Sequence, residues 1–330
     1  MLLLMQEGFT GFTSAKNLKH FRAQKNGITM DESFENSNSL FVFDAIGTHW
    51  EIETFEPLND IVKKKILDRI EIFDKTYSRF RTDSLVSKIA SASNGGSFDF
   101  PEDCLPIFEL YDKLYSLTSG AVDPLVGRRL EQLGYDKNYS LKPLDEVELI
   151  EDDHESLCWI KDVARNYQTL VTKRPVVIDI GAAGKGYLVD IVSEILLREQ
   201  IPEFIVDAGG DIRHSGNWKY PIGMEHPNKP EHAIGVVDLQ DNAICASASN
   251  RRAWGDGIHH IIDARVGLPV RDVIATWVVA KNALLADGLA TALFFTSADK
   301  LKGYFQFSSV RMFTDNTIEK SKNFRGELFL

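Results

Sequence analysis

The chain has 330 residues, 37 of them basic and 48 acidic, and its formal net charge of −11 argues against long-range attraction to nucleic acid or to an anionic membrane surface. Its composition, 44% apolar and 26% charged, is typical of a globular protein with enough apolar material for a sizeable core. Three widely separated cysteines without a Cys-x-x-Cys pair exclude a disulfide-stapled scaffold and a structural zinc site, and they predict a reducing compartment.

The first residues form an apolar run of only five, shorter than the roughly 7 to 15 residues of a signal-peptide core. No later stretch approaches the ~18 apolar residues of a membrane span. We therefore expect a cytoplasmic protein with no membrane anchor and no nucleic-acid partner. Residues 1–38 are polar and mixed, which predicts a loose N-terminal arm ahead of one folded domain at residues 39–330.

Folded character begins with a predicted hairpin around Gly47, within residues 40–55. Apolar residues then recur at spacings of three and four, which predicts a helix capped near Asn59 or Asp60. The apolar face of this helix consists of Val62, Ile66, Ile70, Phe73, Tyr77 and Phe80.

The remaining predicted elements are, in chain order, a helix at 105–117, a hairpin through Trp159, a buried strand at 176–180, a glycine-rich turn at 181–186 that opens a helix, strands at 204–207, 222–224, 233–239, 258–263 and 273–280, a helix at 282–295 and a strand at 310–313. Strands and helices are interspersed without a steady βαβ rhythm. This order predicts a single α+β unit rather than a doubly wound sheet.

The glycine-rich turn, Gly181-Ala182-Ala183-Gly184-Lys185-Gly186, combines free backbone N–H groups, a helix N-terminus and a lysine, which together suit a phosphate. Its spacing fits neither the P-loop nor the dinucleotide fingerprint. From the residues alone it is explained equally well as a tight turn that lets the helix pack closely on the preceding strand.

Asp287 and Thr291 lie four positions apart on an otherwise apolar helix, so both project from the same side. A buried carboxylate needs a partner, and a carboxylate with a hydroxyl offers the hard oxygen ligands that Mg²⁺ prefers. The spacing alone favours a simpler reading, in which Asp287 accepts hydrogen bonds from the N–H groups of a neighbouring loop.

The pair His259-His260 lies on a predicted strand, so that one ring points inward and the other outward. An inward histidine could act as a general base near neutral pH. Adjacent residues of a strand cannot comfortably bind one metal ion together, which argues against a zinc site. A core histidine with satisfied hydrogen bonds is the commoner outcome for such a pair.

Taken together and in order, seven segments of the chain resemble motifs of the ApbE family of FAD:protein FMN transferases. The segments cover about residues 40–300 and begin at Ala45, Ser78, Gly120, Asp179, Asp207, His260 and Ala286. The resemblance implies an ApbE-like mixed unit with a central cofactor cleft, in which FAD lies among these loops with Mg²⁺ at its pyrophosphate.

The resemblance also implies roles for individual residues, position by position. The implied metal ligands are the carbonyl of Ala182 and the side chains of Asp287 and Thr291. The implied catalytic residues are Asp287, Lys185 and His260, with His260 as the base. The implied cofactor-binding residues are Ile46, Phe80, Ala121, Val122, Asp123, Asp179, Lys185 and Ile261.

The reaction implied is attack by a threonine hydroxyl of an acceptor protein on the FMN-side phosphorus of FAD, with AMP as the leaving group. Two other functions use the same residues and stay open. The first is an FAD pyrophosphatase, in which water replaces the threonine and FMN and AMP are released. The second is a flavin-binding protein without turnover.

The chain departs from the family pattern at several positions without changing the implied metal and base residues. These positions are Ile46 for methionine, Phe80 for tyrosine, Ala264 for proline, Val266 for threonine, and Gly184 and Gly288 for alanine. A glycine inside a helix, as at Gly288, costs up to ~1 kcal/mol of helix propensity.

Overall fold

The computed structural model describes residues 12–13, 39–144 and 157–329. The predicted N-terminal arm therefore lies outside the described residues, except for the short strand at Phe12–Thr13. None of the helices in these described ranges is long and apolar enough to cross a lipid bilayer.

The helices are α1 (Asp60–Tyr77), α2 (Leu85–Ala90), α3 (Leu105–Leu117), α4 (Gly127–Gln132), α5 (Trp159–Asp162), α6 (Gly184–Arg198), α7 (Ala283–Ala292) and α8 (Ala298–Lys302). Short 3₁₀ helices lie at Glu102–Cys104 and Pro124–Val126. The strands are β1 (Phe12–Thr13), β2 (Ser39–Ala45), β3 (Thr48–Thr54), β4 (Gly96–Asp99), β5 (Val163–Asn166), β6 (Thr169–Thr172), β7 (Phe204–Ala208), β8 (Asp211–Ser215), β9 (Tyr220–His226), β10 (Lys229–Leu239), β11 (Ala243–Ala248), β12 (Ala253–Trp254), β13 (Ile258–His259), β14 (Ile262–Asp263), β15 (Leu268–Pro269), β16 (Val273–Ala280), β17 (Phe307–Phe313), β18 (Ile318–Lys320) and β19 (Glu327–Leu328).

Eight strands form one antiparallel sheet in the order β18-β17-β16-β11-β8-β7-β3-β2. The hairpin predicted around Gly47 is its β2–β3 pair, in which Ala45 lies opposite Thr48. The turn residues Ile46 and Gly47 have φ angles of 45° and 73°, a left-handed conformation that is typical of tight hairpin turns. The sheet and its helices confirm the predicted α+β class.

The two faces of this sheet are covered differently, because neighbouring residues of a strand point to opposite sides. On one side, Val206 of β7 joins an apolar core with Ile66 of α1 and Leu188 of α6. On the other side, Ile205 joins a second core with Ile222 of β9. Strand β9 belongs to a four-stranded sheet in the order β1-β9-β10-β19. Helices therefore cover one face of the central sheet and a small sheet covers the other.

Two local predictions are wrong in position. Helix α1 ends at Tyr77, so Phe80 lies beyond it and not on its apolar face. The hairpin expected through Trp159 lies further along the chain as the β5–β6 pair. Trp159 itself begins the short helix α5 and is buried. Trp159 is buried and Phe80 is half-buried, but neither apolar side chain could specify the local backbone conformation.

The strand predicted at residues 176–180 is also wrong, since this segment belongs to none of the sheets. Val176 and Ile178 are buried as expected. The Asp179 N–H donates to the Pro124 carbonyl at 2.7 Å, which is a contact with a 3₁₀ turn and not with a strand. A short apolar run indicates burial but not a pairing partner.

Helices α6 and α7 pack very closely at Gly186, where a Cβ atom would lie 2.2 Å from the Ala283 carbonyl oxygen. The Asp190 carboxylate of α6 accepts from the N–H groups of Ala283 and Leu284 at 2.9 and 2.7 Å. Asp287 of α7 accepts through Oδ2 from the Gly186 N–H at 2.9 Å. Each helix thus caps the start of the other, and this fixes the glycine-rich turn.

Close packing between α3 and α7 explains why a glycine is found at position 288. A Cβ at this position would lie 2.8 Å from Leu110 Cδ2 and 3.1 Å from Leu114 Cδ1 of α3. Glycine therefore allows α3 to approach α7 more closely than alanine would, which offsets its lower helix propensity.

Candidate functional site

The glycine-rich turn leads into α6 as the sequence predicts. Gly181 donates its N–H to Asp179 Oδ1 at 2.6 Å, and the helix begins at Gly184. The start of a helix carries partial positive charge and backbone N–H groups, and both favour an anion. The packing role considered for the turn is also present, because Gly186 permits the close contact between α6 and α7.

Of the three residues implied as metal ligands, Ala182 belongs to this turn. Asp287 and Thr291 belong to α7 and form hydrogen bonds to the turn. Thr291 donates its hydroxyl to the Ala182 carbonyl at 3.1 Å. Asp287, one helical turn earlier, is buried and bonds to the Gly186 N–H. Among the residues described, no three or more His, Cys, Asp or Glu side chains are grouped like a metal site. A cation here would depend on one carboxylate with hydroxyl and carbonyl oxygens.

The side chain of Lys185 reaches the residue that precedes the Gly209-Gly210 turn. Its Nζ donates to the Ala208 carbonyl at 2.9 Å and lies 2.8 Å from Asp211 Oδ2. The Asp211 carboxylate is fully buried and has no well-directed hydrogen bond within the described chain, so Lys185 is its charge partner. Asp211 therefore holds the Lys185 side chain in place.

Two buried carboxylates share this one lysine. Burial, together with the charge of Asp211, raises the pKa of Asp287 well above its ordinary value, although Lys185 and the Gly186 N–H oppose the shift. Burial alone would lower the pKa of Lys185, but Asp211 and Asp287 raise it, so the lysine stays charged. Without a cation the protonated form of Asp287 is therefore favoured, and a cation bound beside it would favour the ionised form.

The β2–β3 turn lies against the same region. A Cβ at Gly209 would be 2.0 Å from Thr48 Oγ1, so the hairpin and the Gly209-Gly210 turn are in close contact. The hairpin turn that contains Ile46, an implied flavin neighbour, is therefore next to the Gly209-Gly210 turn that follows Ala208.

A buried ion pair holds the start of the glycine-rich turn. Arg79 donates through Nε to Asp179 Oδ2 at 2.6 Å and through Nη1 to the Tyr135 carbonyl at 2.8 Å. Burial would raise the pKa of Asp179, but the Arg79 charge and the Gly181 N–H lower it, so this carboxylate is ionised. The Asp179 carboxylate, implied as a cofactor contact, is thus bonded within the chain.

Phe80 belongs to an aromatic cluster beside this ion pair. Its ring lies 4.2 Å from the Arg79 guanidinium and stacks on Tyr139 at 5.1 Å. Tyr135 contacts Phe80 edge-on and stacks on Trp254. Such flat apolar surfaces beside charged groups are common where proteins hold ring systems.

The two histidines have different surroundings, and the predicted strand is interrupted between β13 and β14. His259 is buried, with Nε2 bonded to the Val270 carbonyl at 2.7 Å and Nδ1 bonded to the Ile261 N–H at 3.3 Å. His260 is half-buried, and its Nδ1 has no hydrogen-bond partner within the described ranges. His260 is therefore the ring that is free to accept a proton.

Burial and the nearby charge of Arg252 lower the pKa of His260 to about 3. The Asp179 charge opposes this shift, which places His260 in the same electrostatic environment as the start of the glycine-rich turn. The ring is neutral at pH 7, as a base must be before it accepts a proton.

The turn at residues 121–123 is packed inside the protein. Ala121 and Val122 are buried, and the Ala121 carbonyl accepts from the Ala264 N–H at 3.1 Å. Asp123 accepts from the N–H groups of Leu125 and Trp159 at 2.7 and 3.1 Å, and burial raises its pKa to about 6. This turn therefore lies beside the histidine segment, but the Asp123 carboxylate serves the fold.

Ile261, the other implied cofactor neighbour, is buried in a small apolar cluster with Val273 and Phe294.

Sequence reasoning missed four residues of this region, namely Arg79, Tyr111, Asp211 and Arg252. Tyr111 of α3 is buried, and its pKa is raised by burial and by the charges of Asp179 and Asp287. For Asp211 the sequence offered one indication, its position in the Asp207-Ala208-Gly209-Gly210-Asp211 turn. For Arg79, Tyr111 and Arg252 it offered none, because their contribution depends on contacts between distant segments.

Comparisons with known proteins identify the family of the chain. A sequence model of the ApbE family matches residues 46–313. An FAD:protein FMN transferase of Vibrio cholerae is 28% identical over 242 residues, 69% of this chain and 71% of that protein. A protein of the same name from Chlamydia pneumoniae is 30% identical over 230 residues, 67% of this chain and 71% of its own length.

Solved structures extend the agreement to the fold. The ApbE protein of Thermotoga maritima superimposes with a TM-score of 0.76 at 26% identity, covering 86% of this chain and 97% of that one. The flavin transferase ApbE of Vibrio cholerae gives a TM-score of 0.73 at 21% identity, covering 86% and 96%. The FAD:protein FMN transferases among these relatives identify the chain as a transferase enzyme. The chain belongs to the ApbE family.

Proposed function

We propose that this protein is an FAD:protein FMN transferase that moves FMN from FAD to a threonine hydroxyl of an acceptor protein and releases AMP. The observation that carries the proposal is the convergence of Lys185, Asp287, Thr291 and the Ala182 carbonyl on the start of α6. The proposal is supported by family membership and by the names of the relatives.

A magnesium ion fits this cluster. Asp287, Thr291 and the Ala182 carbonyl offer only hard oxygen donors, the class that Mg²⁺ prefers. Lys185 is paired with Asp211, so a cation would supply the positive charge that an ionised Asp287 needs in this buried place. When bound, Mg²⁺ would neutralise charge on the pyrophosphate of FAD.

The chain's own groups account for the rest of the reaction. The threonine oxygen forms a bond to the FMN-side phosphorus while the bond from that phosphorus to the bridging oxygen breaks, so AMP leaves with that oxygen. His260 Nδ1 takes the threonine proton. Lys185, a point charge held by Asp211, stabilises the phosphate oxygens.

The function is tested by incubating the protein with FAD, Mg²⁺ and an acceptor protein that carries the S-G-A-T-type motif implied by the family resemblance. We expect in-gel flavin fluorescence and a mass gain of one FMN on the acceptor. Free FMN with an unmodified acceptor would instead identify a pyrophosphatase, and intact FAD would identify a flavin-binding protein.

The base role of His260 has a test of its own. His260→Ala should bind FAD but transfer FMN about 100-fold or more slowly, the usual range for loss of a general base. Transfer slowed by this factor with unchanged FAD affinity, measured by fluorescence titration, would support the role. Unchanged transfer would remove His260 from it.

The pH profile tests the same residue independently. Because the pKa of His260 is lowered to about 3, protonation of this ring should not reduce kcat/KM between pH 5 and 8. Arg252→Gln removes a positive charge that disfavours the protonated ring, so the acid limb should move to higher pH. Arg198→Gln, an exposed change at the end of α6, is the control and should leave the profile unchanged.

A further inference from the structure

The guanidinium group of Arg252 is an exposed positive charge beside the candidate base. Strands β12 and β13 pair with Ala253 opposite His259. One position further along, Arg252 lies opposite His260, whose N–H donates to the Arg252 carbonyl at 3.2 Å. Residues opposite each other on paired strands direct their side chains to the same face. The arginine and the base therefore share one face of this hairpin.

The ring of Tyr135 locates the Arg252 side chain. The guanidinium carbon of Arg252 lies 5.9 Å from the centre of this ring, and that of Arg79 lies 5.0 Å from it. Trp254, two residues after Arg252 and hence on the same face, stacks on Tyr135 with ring centres 5.7 Å apart. Burial would raise the pKa of Asp179, but Arg79 lowers it and Arg252 lowers it further. Arg252 thus faces the start of the glycine-rich turn.

Hydrogen-bond donors around Tyr135 are left without acceptors in the described part of the chain. Arg79 donates through Nε to Asp179 and through Nη1 to the Tyr135 carbonyl, but its buried Nη2 has no hydrogen-bond partner among the described residues. The Arg252 guanidinium has no hydrogen bond or ion pair with any described residue. A guanidinium carries five donors and no acceptor, and its planar shape matches a phosphate. The arrangement suits a ligand that is rich in acceptor oxygens.

Other carboxylates act on Arg79 but are engaged elsewhere. Glu131 lies 3.3 Å from Arg128 Nη1. Asp136 accepts from two backbone N–H groups of the loop that follows it, at 2.7 and 3.2 Å. Neither carboxylate is hydrogen-bonded to the Arg79 guanidinium. The Nη2 donor is therefore left for an acceptor atom of a bound molecule.

The chemistry of the transfer decides which phosphate of FAD Arg252 would meet. In an in-line displacement the attacking and leaving oxygens lie on opposite sides of the phosphorus. His260 takes the proton of the attacking hydroxyl, so it lies on the attacking side. A guanidinium on the same face as His260 can reach the non-bridging oxygens of the phosphorus under attack, which is the FMN-side one. The AMP phosphate lies beyond the bridging oxygen, on the opposite side.

We propose that Arg252 binds the non-bridging oxygens of the FMN-side phosphate of FAD and gives the protein its preference for a phosphorylated flavin. The proposal rests on the proposed transferase function and adds to it a phosphate-binding residue and the half of FAD that this residue meets. One guanidinium can donate two N–H groups to the same phosphate. Its charge would also stabilise these oxygens while the bond from the threonine oxygen to phosphorus forms.

Two flavins that differ only in the phosphate test the proposal. FMN and riboflavin are titrated against the full chain by flavin fluorescence, with Mg²⁺ present. Arg252→Gln should weaken FMN binding about 10-fold or more but riboflavin binding less than about 2-fold, because a charge-assisted hydrogen bond to phosphate is lost while contacts with the ring remain. AMP, titrated by calorimetry, should bind the variant and the wild type alike.

Two further variants separate charge from shape. Arg252→Lys keeps the positive charge but loses the planar pair of donors, so its FMN affinity should lie between those of the wild type and Arg252→Gln. Arg198→Gln, an exposed change at the far end of α6, is the matched control and should bind both flavins as the wild type does. In the transfer assay, Arg252→Gln should lower kcat about 10- to 100-fold at saturating FAD.

Two results would overturn the assignment of Arg252. If Arg252→Gln changed the affinities for FMN and riboflavin by the same factor, Arg252 would not bind the phosphate. If the variant lost affinity for AMP and kept it for FMN, Arg252 would belong to the other phosphate. These titrations need no acceptor protein, so they remain decisive even if the wild type transfers no FMN, a result that would contradict the proposed function instead.

Discussion

Asp287→Asn should reduce FMN transfer at least about 100-fold while leaving the protein no less stable, and more stable at neutral pH than the wild type. The asparagine oxygen can still accept from the Gly186 N–H, so the cap of α6 is kept. The negative charge that would complete an Mg²⁺ site is lost, and a burial cost is removed with it.

The pH dependence gives the sign of the stability effect. The pKa of Asp287 is raised, mainly by burial and by Asp211, so folding favours its protonated form. The resulting stability is present at acid pH and is lost as pH rises above the ordinary range of an aspartate. The neutral asparagine escapes this loss, and its advantage in melting temperature without metal should grow between pH 4 and pH 7.

Asp190→Asn is the matched control. Asp190 is also a raised-pKa carboxylate that caps a helix, since burial raises its pKa to about 6 and it binds the Ala283 and Leu284 N–H groups. The control variant should keep FMN transfer at saturating FAD. Mg²⁺ should raise the melting temperature of the wild type and of Asp190→Asn but not of Asp287→Asn. Equal transfer by all three proteins would contradict the metal assignment.

Gly186→Ala should destabilise the protein by about 3 kcal/mol or more, because the new methyl group would meet backbone rather than a mobile side chain. Its Cβ would lie 2.2 Å from the Ala283 carbonyl oxygen and 2.7 Å from Asp287 Cβ. Relief requires α6 and α7 to separate, which also lengthens the bond between Asp287 and the Gly186 N–H. A loss of roughly 6–12 °C in melting temperature is expected for a domain of this size.

Gly184→Ala, two residues earlier, is the control for this prediction. Its Cβ would meet only the side chain of Ile180, 2.7 Å from Cδ1, and that side chain can turn away. We expect a change within about 1 kcal/mol, partly offset by the better helix propensity of alanine. Similar melting temperatures for the two variants would show that the α6–α7 contact is looser than the structure indicates.

Local signals predicted much of the fold. Gly47 marked the β2–β3 turn, and the α3 bounds Leu105–Leu117 are those expected from apolar spacing. Asn282 caps α7 by accepting from the Leu285 N–H, as expected for a helix starting there. These features are encoded by residues within a few positions of each other, so one sequence is enough to find them.

Other features depend on distant contacts and were missed for that reason. Strand β11, Ala243–Ala248, consists mainly of small residues without a strong strand pattern, yet it pairs on both sides in the central sheet. The apolar run at 176–180 correctly predicted buried side chains, but this segment does not pair with any described strand. Neither the strand order nor the layer that covers each face can be obtained from periodicity alone.

Some residues of the site could be named from the sequence and others could not. Lys185, Asp287 and Thr291 lie together at the glycine-rich turn, where the family resemblance puts them. The simpler interpretation of Asp287, as an acceptor for nearby N–H groups, is confirmed by the Gly186 N–H, whereas its role as a metal ligand stays a prediction. Arg79 could not be found in advance, because its partner Asp179 lies 100 residues away and nothing in the sequence links them.

The span of chain that contributes to the site has a consequence for biosynthesis. Arg79 in the first third, Lys185 in the middle and Thr291 near the end must all be present before the cluster closes. Such long separations make folding slow and leave incomplete chains without their final contacts. We therefore expect a polypeptide still on the ribosome to be inert toward flavin until nearly all of it has emerged, so that no half-made enzyme consumes the cofactor.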